Sequence, residues 1–113
     1  HTVALLGTKY TMEQDFYKNR LTAKGISVLI PDATDREFIN TTIFQELCLG
    51  IISAAAKRRF LAIMDKLAAE GAQGIILGCT EIGMLVSRQD TSTPLFDTTA
   101  IHAESAALYA LQD

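Results

Sequence analysis

The sequence predicts an α/β domain of the doubly wound kind, built on a mainly parallel four-stranded sheet. Three observations predict it. Short apolar runs at Thr2 to Leu6, Ile26 to Ile30, Gly74 to Leu77 and Leu95-Phe96 alternate with segments of helical periodicity. Glycines and capping residues stand at most of the junctions. The Gly74-Ile75-Ile76-Leu77 run is apolar without interruption, as a parallel strand buried on both faces requires. Such alternation implies right-handed crossovers, with helices covering both faces of the sheet.

The elements follow in order. Thr2 to Leu6 is the first strand, ended by Gly7-Thr8. Thr11-Met12-Glu13-Gln14 fits a capping box, with Thr11 as N-cap of a helix running to about Ala23 and stopping at Gly25. Ile26 to Ile30 is the second strand, closed by Pro31. A second capping box, Thr34-Asp35-Arg36-Glu37, opens a helix with Ile39, Ile43 and Leu47 on one face and a break near Gly50. Ser53 caps the next helix, which carries Phe60, Met64, Leu67 and Ala68 on one side and ends at Gly71. The third strand, Gly74 to Leu77, leads into a turn at Cys79 and a short helix around Glu81 to Val86. Ser87 to Thr93 is a polar loop, Leu95-Phe96 a brief fourth strand, and Thr98 to Leu111 an alanine-rich closing helix. The whole reads as one flavodoxin- or Rossmann-like domain over residues 1–113.

Gly78-Cys79-Thr80-Glu81 carries the chemistry. A cysteine at the carboxyl end of a parallel strand sits where open α/β sheets place their ligands. Gly78 allows close approach, and Thr80 and Glu81 add a hydroxyl and a carboxylate beside the sulfur. A helix N-terminus near Cys79 is expected to lower its pKa from a free value of about 8.5. The bland alternative is a small buried hydrophobe, the usual fate of a free cysteine. The turns after the first, third and fourth strands open at one sheet edge, so Thr8, Thr11, Cys79, Thr80 and Asp97 can converge there.

Composition excludes several classes. With 113 residues, 49% hydrophobic and 20% charged, the chain is an ordinary globular domain. A net charge of −3 argues against a nucleic-acid or anionic-membrane surface, and Lys57-Arg58-Arg59 reads as a solvated helix face. No apolar run approaches the roughly 20 residues of a membrane span. Two cysteines in separate elements and two scattered histidines lack the spacing of a zinc site, and suggest reduced thiols in the cytoplasm. Gly7-Thr8-Lys9 lacks the further glycines of a dinucleotide turn. The chain opens on His1 and enters a strand at once, which suggests a cut in a longer polypeptide.

Gly-Cys-Thr-Glu after an apolar strand resembles the second catalytic-cysteine motif of the aspartate/glutamate racemase superfamily. Leu6-Gly7-Thr8-Lys9-Tyr10-Thr11-Met12 resembles the turn that opens that family's second domain, and Pro94-Leu95-Phe96-Asp97 with Ile101-His102-Ala103-Glu104 resembles its closing strand and helix. The resemblance covers nearly the whole chain. It implies one half of a pseudo-symmetric two-domain amino-acid racemase whose N-terminal half is absent. It also implies homodimeric assembly and no cofactor, neither pyridoxal phosphate nor metal. The implied mechanism moves the α-proton between two opposed cysteines, of which Cys79 is one.

By the same resemblance Thr80, Glu81, Thr8 and Thr11 are substrate-binding residues. Each has a structural alternative except Thr8. Thr80 can cap the short helix and Thr11 the first one; Glu81 pairs with the substrate ammonium or orients Cys79, or is simply a suitable acid for a first helical turn. Cys48 falls inside a predicted helix and is expected to be shielded core packing; the resemblance also puts it near the place where more distant aspartate racemases carry a lysine for the substrate's side-chain carboxylate. His102 with Asp97 and Cys79 could suggest a triad, against simple packing within the last helix. Three functions compete: the racemase half, a related cysteine-dependent isomerase or decarboxylase, and a non-enzymatic ligand-binding module.

Overall fold

A computed structural model of the chain describes residues 1–97. The predicted closing helix and His102 lie outside the described residues, as does the side chain of Asp97. Strands β1 (Thr2–Leu6), β2 (Ser27–Leu29), β3 (Ile75–Leu77) and β4 (Leu95–Asp97) form one parallel sheet in the order β2-β1-β3-β4. Val3 lies opposite Val28, Leu5 opposite Ile76, and Ile76 opposite Phe96. The fold is the α/β arrangement the alternation predicts, and its strand order places the topological switch between β1 and β3.

Side-chain alternation along the strands divides the core in two. Ala4, Leu6, Ile75, Leu77 and Leu95 face one layer, built from α3 (Ala33–Gln45) and α4 (Ala54–Ala69) through Ile39, Ile43, Phe60, Met64 and Leu67. Val3, Leu5, Ile76 and Phe96 face the other, where Leu21 of α2 (Asp15–Thr22) and Ile26 pack. Leu29 and Val28 continue these two sets at the sheet edge, only partly buried.

The first helical segment differs from its prediction. It is two helices, α1 (Lys9–Glu13) and α2, separated by Gln14 in an extended conformation (φ −77°, ψ 144°). The N-cap is Thr8, whose hydroxyl oxygen accepts from the Thr11 N–H at 3.2 Å. Starting the helix three residues earlier lets Met12 reach the core while Gln14 stays exposed. The cap of α3 is likewise Asp32, accepting from the Asp35 N–H at 2.9 Å, rather than Thr34. A carboxylate directly after Pro31 is the better acceptor for a first-turn donor.

Ser53 caps α4 as predicted, accepting from the Ala56 N–H at 3.2 Å. Ser53→Ala is expected to destabilise the fold by about 1 kcal/mol in thermal denaturation. No change in the unfolding midpoint would show that this bond contributes nothing. Lys57 and Arg59 of the basic cluster are paired on the α4 surface, with Asp90 at 3.1 Å and Asp35 at 3.2 Å.

The α3 helix stops at Gln45, and Glu46 (φ −126°, ψ −65°) turns the chain into a 3₁₀ segment, Leu47–Leu49. Gly50 follows at φ 77°, the left-handed conformation that glycine supplies without steric penalty. Leu47 stays in the core, but Cys48 is exposed, contrary to its expected burial. In the 3₁₀ turn Cys48 stands about 120° around from Leu47, which keeps the buried face, so Cys48 is carried to the surface.

Candidate functional site

The site is the crevice at the carboxyl ends of β1 and β3. In open α/β sheets this switch point leaves room between diverging crossovers, and ligands bind there. Two glycines bring its walls together. A Cβ on Gly7 would lie 3.2 Å from the Thr11 side chain and 3.7 Å from the Gly78 carbonyl carbon. One on Gly78 would stand 3.1 Å from the Thr11 methyl and 3.2 Å from the Leu6 carbonyl oxygen. The Gly78 N–H donates to that same oxygen at 2.7 Å, continuing the ladder past Leu77. Gly78→Ala is expected to lower stability by about 1–3 kcal/mol, because the Leu6 backbone cannot yield as a flexible side chain would. An unchanged melting temperature would mean the crevice is looser than these distances imply.

Thr11 is therefore the joint between the two turns. Its methyl sits against both glycines, while its hydroxyl accepts from the Thr8 hydroxyl at 3.1 Å. Thr8, which had no structural alternative in the sequence, turns out to cap α1. Lys9 beyond it is held by Glu37 at 3.1 Å, and its backbone N–H donates to Asn40 Oδ1 at 2.7 Å.

Cys79 follows Gly78 in extended backbone (φ −140°, ψ 123°) and precedes a 3₁₀ turn, Thr80–Met84, in place of the predicted helix around Glu81 to Val86. Ile82, Leu85 and Val86 anchor this segment in the core. The turn swings Glu81 back over the cysteine. The Cys79 thiol donates to Glu81 Oε2 at 2.9 Å, and the Thr80 hydroxyl donates to the same oxygen at 3.2 Å. Burial, followed by this hydrogen bond, pushes the half-buried thiol up to about 11. The bond with Cys79 in turn holds the Glu81 carboxyl below its ordinary value. The expected lowering of the Cys79 pKa is thus overturned. A five-residue 3₁₀ turn supplies little aligned dipole, whereas desolvation and a carboxylate in contact both disfavour a thiolate.

An open groove of about 710 Å³ runs beside this turn, lined by Leu47, Cys48, Gly50, Thr80, Glu81 and Met84. Thr11 lines a smaller one of about 120 Å³ with Tyr10, Gln14 and Phe16. The structure thus joins Thr8, Thr11 and the Gly78 turn, and separately joins Cys79, Thr80 and Glu81. Asp97 ends β4 opposite Leu77, at the same sheet edge. Sequence reading missed Cys48 and Met84 as groove residues. The available signal was Gly50, whose left-handed conformation requires the helix to end before it.

Among the described residues no cluster of three or more His, Cys, Asp or Glu side chains could hold a metal ion. None of the described helices is long and apolar enough to cross a membrane.

Comparison with known proteins decides the family. The Asp/Glu/Hydantoin racemase family description matches residues 1–106. The chain belongs to the Asp/Glu/Hydantoin racemase family. A crystal structure of a candidate Asp/Glu racemase from Yersinia pestis is 60% identical, with a TM-score of 0.84 over 98% of this chain and 49% of that one. PH1733, an aspartate racemase homologue from Pyrococcus horikoshii OT3, is 37% identical, with a TM-score of 0.81 over 96% of this chain and 48% of that one. An uncharacterised protein from the pnlA 3' region of Pectobacterium carotovorum subsp. carotovorum is 28% identical over 92 residues, which are 81% of this chain and 60% of that protein. The chain therefore spans about half the length of the solved structures it matches.

Proposed function

We propose that this chain forms one half of a cofactor-independent amino-acid racemase, with Cys79 as one of two thiols that move the α-proton. The observation that carries the reading is the position of Cys79 at the β1/β3 switch point of a racemase-family domain, bonded to a carboxylate and flanked by glycine. Racemisation requires one group to take the α-proton and another to return a proton to the opposite face. The second thiol comes from the complementary half of the longer relatives.

In this reading, Thr80, Thr8 and Thr11 border the space where the substrate's amino and carboxylate groups lie, and Glu81 is the natural counter-ion for its ammonium. Exclusion of water by the complementary half strengthens each of these contacts. The groove by Thr80 offers no basic side chain to a substrate carboxylate, since its lining is Leu47, Cys48, Gly50, Thr80, Glu81 and Met84. Selectivity for an acidic side chain would have to come from elsewhere, and neutral amino acids and hydantoins belong in the test.

The test is a chimaera in which this chain replaces the matching half of the Yersinia pestis relative. It is assayed by loss of optical rotation and by solvent deuterium entering the α-position. Aspartate, glutamate, neutral amino acids and a 5-substituted hydantoin form the panel. Turnover that vanishes with Cys79→Ser supports the proposal. Turnover that survives that substitution sinks it, as does a folded chimaera inactive on substrates that the parent racemises.

A further inference from the structure

Resting on that reading, we propose that Glu81 is a positioning residue that keeps Cys79 protonated in the resting site, so that Cys79 enters the reaction as the proton donor. The geometry carries this. Glu81 is held below its ordinary pKa and is ionised at neutral pH, so its oxygen can only accept, and the 2.9 Å contact between Sγ and Oε2 is made with the proton on sulfur. Ionising Cys79 would set a thiolate against a carboxylate at that distance. Glu81 Oε2 also accepts from the Thr80 hydroxyl, which fixes the carboxylate in place. No basic side chain among the described residues pairs with Glu81 to relieve the charge.

Among the described residues, the elements packed most closely against the 3₁₀ turn add no positive charge. Its main neighbours there are the apolar strand β3 and the Leu47–Leu49 turn, which brings Cys48, with Glu46 just before it. The upward shift of the Cys79 thiol agrees in sign.

In the forward step the carbanion's electron pair forms a C–H bond with the Cys79 proton. The S–H bond breaks and the sulfur is left as thiolate. The α-proton has meanwhile passed to a thiolate of the complementary half. The newly formed Cys79 thiolate faces the Glu81 carboxylate, which drives it to take a proton from solvent while the complementary thiol releases to solvent the one it took, restoring the resting site before the next turnover. Racemisation has an equilibrium constant of unity, so this bias leaves kcat/KM equal for the two enantiomers. It shows instead in the titration of the free thiol.

The experiment uses the chain with Cys48→Ser, leaving Cys79 as its single thiol. Thiolate absorbance and the iodoacetamide rate are followed against pH, with circular dichroism confirming the fold of each variant. Native Cys79 is expected to titrate near 11, with a neutral-pH alkylation rate about a hundredfold below that of an unperturbed thiol. Glu81→Gln removes the charge at constant shape and should raise that rate by about threefold to tenfold, burial still holding part of the shift. Glu81→Asp keeps the charge but withdraws it by one methylene, and should fall between the two. Equal rates for native Cys79 and Glu81→Gln would overturn the proposal. So would a Glu81→Asp rate equal to native, which would remove the direct contact as the cause. Neither readout depends on racemisation, so a failure here leaves the proposed function standing, and an inactive chimaera leaves this result standing.

Discussion

The isolated 113-residue chain is expected to give no measurable racemisation of L-aspartate or L-glutamate. Proton removal from the α-carbon is productive only when a second group reprotonates the opposite face, and Cys79 is the one thiol at the switch-point crevice. Cys48 is exposed and lines the neighbouring groove together with Thr80 and Glu81, on a different turn from Cys79. Losing one acid-base group typically lowers the rate by about 10²–10⁴-fold. A resting thiol in place of a thiolate removes the remaining base at neutral pH. Chiral chromatography checks this, with Cys79→Ser as control. Adding the part of the Yersinia pestis relative that this chain does not cover is expected to restore turnover. Robust activity of the chain alone, abolished in Cys79→Ser, would mean that a second copy supplies the missing acid and that the two-half reading is wrong.

Phe60→Ala is expected to have the largest effect on stability, a loss of about 3–5 kcal/mol. Phe60 is fully buried in α4, in the cluster that also holds Ile82, Leu85 and Val86 beneath the Cys79 turn. Its ring lies 5.9 Å from that of Phe38, tilted by 59°. Deleting it leaves a cavity that the packed sheet cannot close, and strips the edge contact from Phe38. The Arg59 guanidinium, 4.5 Å over the Phe38 ring, would then cap an unsupported aromatic. Urea unfolding should show the midpoint falling by at least about 1 M. A loss below about 1 kcal/mol would mean that Phe60 is not in the core. Because the same cluster seats the 3₁₀ turn, faster alkylation of Cys79 in this variant would report loosening of the site before global unfolding.

Much of the fold is legible locally. Ile75, Ile76 and Leu77 announce a buried strand because every side chain is apolar. Ser53 announces a helix start because a hydroxyl there satisfies a first-turn donor. Where two candidates compete within three residues, as Thr8 with Thr11 and Asp32 with Thr34, local chemistry is degenerate. The choice falls to whichever start brings Met12 or Ile39 into the core.

The sequence by itself determined the order of the four strands and of the two long helices between the second and third, the parallel sheet, and the placement of Cys79 at a strand's carboxyl end beside Gly78. These follow from periodicity, glycine and capping, which act over a few residues. Only the tertiary structure decided that β1 and β3 are neighbours at the switch, that Thr11 bridges their turns, that Cys48 faces outward, and that the Glu81 carboxylate lies against the Cys79 sulfur. Strand pairing, desolvation and the field of a carboxylate depend on distances in space. Even Glu81, two residues from Cys79, acts on it only because a tight turn anchored by Ile82 folds its side chain back onto the sulfur.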